Sequence, residues 1–149
     1  MNITIKEATS ADAKNIAPVF DLYRQFYAQE SDLALAFNFI EDRLSRGEST
    51  IYIAIDNENN VLGFTQLFPS FSSVSAKATW ILNDLFVVEE ARGLGVGKLL
   101  LERAESLAVA SNAKGIGLET TKDNVSAQKL YESLGYEIAD GFLHYFKTL

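Results

Sequence analysis

Apolar residues recur along the chain at two periods, and the changes from one period to the other divide it into strands and helices. Ile3, Ile5 and then Ala8 alternate as a strand, with Thr9 or Ser10 capping the next element. Over residues 12–29 the positions Ile16, Val19, Phe20, Tyr23, Phe26 and Tyr27 repeat at three and four, which predicts an amphipathic helix. Pro18 places the start of that helix nearer Asn15 or makes its first turn irregular. Ser31 and Asp32 cap a second helix whose stripe is Leu35, Phe39, Ile40 and Leu44, ending before Gly47. Two strands, 49–56 and 61–69, flank the polar turn Asn57-Glu58-Asn59-Asn60. Residues 70–75 read as a small polar linker and 76–88 as a long strand. After Gly97 the residues Leu100, Leu101, Ala104, Leu107 and Ala108 form a helix, stopped by Ala113-Lys114-Gly115. A strand over 116–121, a helix beginning at Asn124, and closing strands at 136–139 and 142–147 complete the chain. The predicted order is β-α-α-β-β-β-α-β-α-β-β, an α/β class with a mixed, largely antiparallel sheet flanked by helices.

Residues 84–101 carry the strongest local signal. Leu85-Phe86-Val87-Val88 is a buried strand, and Gly93, Gly95 and Gly97 then open a helix. The first amides of a helix have no internal partner and point along the positive end of its dipole. Glycines let an anion approach that backbone, so the turn is a phosphate cradle. A nucleotide P-loop would need four residues between its glycines and Lys-Ser/Thr directly after the last. A dinucleotide fingerprint would need Gly-x-Gly-x-x-Gly at the first strand-to-helix turn. The alternation Gly93-x-Gly95-x-Gly97 fits neither.

Arg92-x-x-Gly95-x-Gly97 resembles the acetyl-CoA signature of the GNAT N-acetyltransferases, Arg/Gln-x-x-Gly-x-Gly/Ala. A second stretch runs Asn124-Val125-Ser126-Ala127-Gln128-Lys129-Leu130-Tyr131-Glu132-Ser133-Leu134-Gly135-Tyr136. It has an Asn N-cap and a Gly at C′, and Ala127, Leu130, Tyr131 and Leu134 share one face. Its order resembles the family's other CoA-contacting segment, and the likeness covers residues 80–140. The chain is therefore identified as similar to GNAT enzymes. It has a nearer likeness to spermidine/spermine acetyltransferases in Asp84-Leu85-Phe86-Val87 and in the ending from Gly141-Phe142 to Phe146-Lys147.

The resemblance implies that amides from Gly93 through Leu94, Gly95, Val96 and Gly97 to Lys98 hold the pyrophosphate of acetyl-CoA, with Arg92 and Lys98 adding charge. It implies that backbone groups of Phe86, Val87 and Val88 pair with the pantetheine arm, and that Asn124, Ala127, Lys129, Leu130 and Tyr131 flank it. It also places Tyr27 and Asp32 near the acceptor. Acetyl transfer to an amine needs a group that collects the amine's proton and one that stabilises the leaving thiolate. Asp84 and Glu119 are the candidate bases. Asp84 also reads as a structural acceptor at a strand irregularity, and Glu119 as part of a solvated face. The polyamine enzymes carry a glutamate as base where this chain has Asn83, a departure that weakens the polyamine assignment. Tyr131 is the candidate acid, or else a wall of the pantetheine channel. Tyr23, Tyr27, Phe37 and Phe39 read mostly as core.

Composition trims this picture. The 149 residues, 48% of them hydrophobic, fit one N-acetyltransferase domain spanning 1–149. No cysteine is present and His144 is the sole histidine, so no metal site is expected. A net charge of −7 argues against nucleic acid and is compatible with a cationic substrate. Without an apolar run long enough for a membrane span or a signal peptide, a cytoplasmic protein is expected. The functions to weigh are acetylation of a small-molecule amine, acetylation of a protein lysine or N-terminus along the 29–38 and 70–76 segments, and a non-catalytic acyl-CoA-binding module. Relatives are commonly dimers, and the closing strands offer an edge for pairing into a homodimer.

Overall fold

The computed structural model describes residues 2–149, which form two compact units, one running up to Glu119 and the other spanning Thr120–Leu149. The first contains β1 (Thr4–Glu7), a 3-10 turn (Ser10–Asp12), α1 (Ala13–Phe26), α2 (Leu33–Ser45), β2 (Thr50–Ile55), β3 (Val61–Ser72) and β4 (Lys77–Val87). A short 3-10 turn (Glu89–Ala91), α3 (Val96–Ala110) and β5 (Ile116–Leu118) complete it. The second contains α4 (Val125–Ser133). The strands lie in the order β1-β2-β3-β4-β5, antiparallel except for the parallel pair β4 and β5.

Helices cover both faces of the sheet, and β2 shows why its sequence reads as an unbroken apolar run. Ile51 and Ile53 join Phe64 of β3 in a core with Ile16, Val19 and Phe20 of α1 and Ala36 and Ile40 of α2. Tyr52, on the opposite face, lies under the Arg103 guanidinium of α3, 4.5 Å from its ring centroid. With neither face wetted, there is no polar alternation.

Three expectations are corrected. α1 begins at Ala13 with Pro18 inside it, and the irregularity falls in the turn before, where Asp12 accepts from the Thr9 amide at 2.8 Å. The stretch 70–75 is not all linker. β3 runs on to Ser72, pairing Phe68 with Ile81 and Ser72 with Lys77, and the loop shrinks to residues 73–76. A hairpin end is held by main-chain ladder bonds, which side-chain polarity does not report. Finally, residues 136–139 and 142–147 form no strands, and Ile138, Phe142, Tyr145 and Phe146 stand exposed. Two short strands are not stable unless they extend a sheet, and the described sheet ends at β5.

Gly63 sets how closely β3 and β4 approach ahead of the glycine turn. A Cβ there would stand 2.7 Å from the Phe86 carbonyl oxygen and 3.3 Å from both Val87 Cα and Val96 Cγ1. Because the nearest atom is main chain, β4 must shift to admit it. Gly63→Ala should therefore cost about 1–3 kcal/mol of stability, read as a lower urea midpoint; an unchanged midpoint would contradict this packing argument.

Candidate functional site

β4 carries an irregularity at the position of the candidate base. Gln66 pairs with Asp84 and Leu67 with Leu82, so Asn83 is an extra residue that bulges out of the ladder. The bulge turns the Asp84 side chain into the protein, where it is 4% exposed. Its Oδ1 accepts from Asn83 Nδ2 at 3.0 Å and its Oδ2 accepts from Gln66 Nε2, while the Tyr23 hydroxyl, which donates to the Asn83 carbonyl at 3.3 Å, also interacts with the carboxylate. Gln66 is held in turn by the Ser49 hydroxyl, which donates to Oε1 at 2.7 Å. Burial pushes the Asp84 pKa up, opposed by the bonds from Gln66, Tyr23 and Asn83. Both readings of Asp84 therefore have a physical basis: it sits at a strand irregularity as an acceptor, and it has the raised basicity a proton acceptor needs.

Beyond the bulge β4 leads to the glycine turn. β5 pairs with β4 only from Trp80 to Leu82, and β4 continues to Val87 without a partner on that side among the described residues. Glu119 follows β5 and is exposed. Gly93 and Gly95 take φ of +80° and +82°, a left-handed backbone in which a side chain is strained. Nothing lies within 4 Å of where their Cβ atoms would stand, and no side chain caps the start of α3 at Val96. The space and the uncapped amides suit a phosphate group. Arg92 turns back, its Nε donating to the Val87 carbonyl at 3.1 Å and its guanidinium 5.6 Å from the Phe86 ring centroid. Lys98 pairs loosely with Glu102 at 3.8 Å, both exposed.

Around Asp84 stands a group of aromatic rings. Tyr23 meets Tyr27, Phe64 and Phe86 edge-on, at centroid separations of 5.2, 5.6 and 5.9 Å. Phe26 contacts both Tyr27 and Phe86. Tyr27 is 43% and Phe26 59% exposed, which is more than core packing leaves. Phe37 and Phe39 are likewise partly exposed.

Asp32, expected near the acceptor, spends its carboxylate on capping α2, accepting from the Leu35 amide at 3.1 Å. A neighbour that the sequence patterns did not single out organises this corner. Asp21 of α1 is buried, and accepts from Ser31 Oγ at 2.7 Å, the Asp32 amide at 2.8 Å and Gln25 Nε2 at 3.0 Å. The Ser31 bond, then the Asp32 amide, hold its pKa down. A folded-state pKa below the unfolded value means that this stabilisation is present above about pH 4 and fades as pH falls through the lowered value. Asp21→Asn should cost about 2 kcal/mol at neutral pH and less in acid; equal costs by denaturant titration at both would sink the assignment.

In the second unit the Asn124 side chain caps α4, accepting from the Ala127 amide at 3.2 Å, and Gly135 ends the helix at φ +93°. Tyr131 is the buried residue of α4, its ring 5.9 Å from that of Tyr136, while Ala127 and Leu130 are half-buried and Lys129 is exposed.

Comparison with known proteins gives a consistent result. The acetyltransferase (GNAT) family profile matches residues 16–136. An uncharacterized N-acetyltransferase of Bacillus subtilis is 49% identical over 143 residues, 96% of this chain and 95% of that protein. An L-ornithine N5-acetyltransferase of Arabidopsis thaliana is 33% identical over 82 residues, 55% of this chain and 36% of that protein. The crystal structure of a probable acetyltransferase superposes with a TM-score of 0.93 at 42% identity, covering 98% of this chain and 97% of that one.

Proposed function

Since the chain belongs to the GNAT acetyltransferase family, we propose that it moves the acetyl group of acetyl-CoA to the primary amine of a small molecule, by direct attack within a ternary complex. The observation that carries the reading is the glycine turn. Left-handed Gly93 and Gly95 lead into the uncapped start of α3, at the end of a strand that outruns its partner. The amides from Gly93 to Lys98 would take the pyrophosphate, with Asn124, Ala127, Lys129 and Leu130 along the arm. The Val88 amide is already donated to the Leu62 carbonyl at 2.9 Å, so an amide of Phe86 or Val87 that faces away from β3 would polarise the thioester carbonyl.

An alkylammonium has a pKa of about 10.4 and must lose a proton before it attacks. Asp84 is the base in this reading, favoured over Glu119 because burial raises its proton affinity. Tyr131 is the acid that meets the departing sulfur. A small-molecule acceptor is supported by the exposed rings of Phe26 and Tyr27, by the net charge of −7, and by the plant relative whose name gives L-ornithine as its acceptor. A cytoplasmic homodimer completes the reading, a second copy covering the exposed apolar side chains between Ile138 and Leu149.

The test is thiol release from acetyl-CoA in the presence of polyamines, amino acids and aminoglycosides. Turnover with one of these classes supports the reading. CoA binding by calorimetry with no thiol released across the panel points instead to a binding module, and turnover confined to peptides points to a protein acetyltransferase.

A further inference from the structure

Asp84 is walled off. Only 4% of it is exposed, its Oδ1 and Oδ2 are engaged by Asn83 and Gln66, and an amine in solvent has no direct path to either oxygen. Two of the side chains bonded to it also reach outward. Asn83 is exposed, but its amide neither gains nor loses a proton near neutral pH. Tyr23 is half-buried, and its hydroxyl is both donor and acceptor. That hydroxyl donates to the Asn83 carbonyl at 3.3 Å, and the neighbouring Asp84 carboxylate is a second acceptor that interacts with it. The two acceptors belong to consecutive residues at the bulge, so rotation of the phenol O–H redirects its proton from the Asn83 carbonyl to the Asp84 carboxylate.

We propose that Tyr23 is a catalytic residue that carries the acceptor's proton from the half-buried surface of α1 to the enclosed Asp84. The inference rests on the reading of Asp84 as the base. As the substrate ammonium N–H bond breaks, its proton passes to the Tyr23 oxygen while the phenol's own proton passes to an Asp84 oxygen. Tyr23 is neutral before and after, Asp84 becomes a carboxylic acid, and the amine gains a free electron pair. That pair forms the new C–N bond as the C–S bond breaks, and sulfur leaves with the electron pair of that bond. The second nitrogen proton ends on the thiol, and Asp84 returns its proton to solvent after product leaves. The ring of Tyr23 is fixed for this task by Tyr27, Phe64 and Phe86, which meet it edge-on, and Phe26 and Tyr27 offer exposed faces where a cation is stabilised.

The test compares two amines: n-butylamine, protonated at neutral pH, and 2,2,2-trifluoroethylamine, whose fluorines leave it largely neutral. Tyr23→Phe retains the packed ring and removes only the hydroxyl. It should lower kcat with n-butylamine about tenfold while changing the fluorinated amine, which has no proton to shed before attack, by less than about twofold. KM for acetyl-CoA should stay the same. Equal losses on both amines, or a raised amine KM with kcat intact, would make Tyr23 a packing or binding residue and overturn the proposal. Asp84→Asn separates the two ideas. If it has the selective loss and Tyr23→Phe does not, the base stands and the relay falls. If the wild type turns over and Asp84→Asn changes neither amine, base and relay fall together, as they do if the wild type releases no thiol with either amine.

Discussion

Tyr131→Phe is expected to lower kcat by about 100-fold or more while leaving acetyl-CoA affinity within about threefold of the wild type. The two halves of that expectation have separate physical sources. The ring is the buried part of α4 and sits against Tyr136, so removing one oxygen leaves packing volume unchanged. The hydroxyl is what the proposed chemistry uses, since a thiolate leaving without a proton donor carries its full charge in the transition state alone. Thiol release under saturating substrates gives kcat, and calorimetry gives the affinity. If the phenol is only a wall of the channel, the retained ring still supplies that wall and kcat holds, whether or not affinity falls. A pronounced kcat loss that disappears with a donor thioester of a more acidic thiol would identify the proton as the missing element.

What the sequence made legible here depended on local rules. Asp32 capping α2, Asn124 capping α4 and Gly135 ending it are decided within one helical turn, and each stands where the residue types placed it. Gly93 and Gly95 were also readable, because positive φ at a strand-to-helix turn excludes most side chains. The partnerships around Asp84 were not. Gln66 and Asp84 are 18 residues apart and meet only because of the register between β3 and β4, which the bulge at Asn83 sets. One signal did exist: Thr65 and Gln66 interrupt an apolar strand, and buried polar groups need partners. Asp21 left no such trace, since an Asp following Phe20 in an amphipathic helix looks like a solvent position. The closing strands failed for the opposite reason. Residues 142–147 have a strand's composition, but strand pairing is a property of two segments and one of them is not supplied by composition.

Asp84→Asn makes the strongest separation between structural and catalytic demands on a residue. Its folded-state pKa is raised by burial, so the ionised carboxylate costs stability. The contribution of the group is most favourable in acid and is lost as pH rises through the raised value. An uncharged replacement of the same shape removes that cost. The new amide would present a donor to Gln66, but Gln66 can turn over: its oxygen then accepts from the introduced amide and its nitrogen donates to the Ser49 hydroxyl. Stability at neutral pH should therefore stay within about 1 kcal/mol of the wild type, or increase. Activity should move the other way, with kcat/KM for an alkylamine falling about 100-fold as the proton acceptor disappears. The wild type should also lose kcat/KM as pH falls through the raised Asp84 value and the carboxylate protonates, a limb absent from the variant's residual rate. Urea titration and a pH–rate profile on the same preparations decide the matter. A variant that loses stability yet retains its rate would make Asp84 a structural acceptor holding the bulge, and the base would have to be sought at Glu119 or in water.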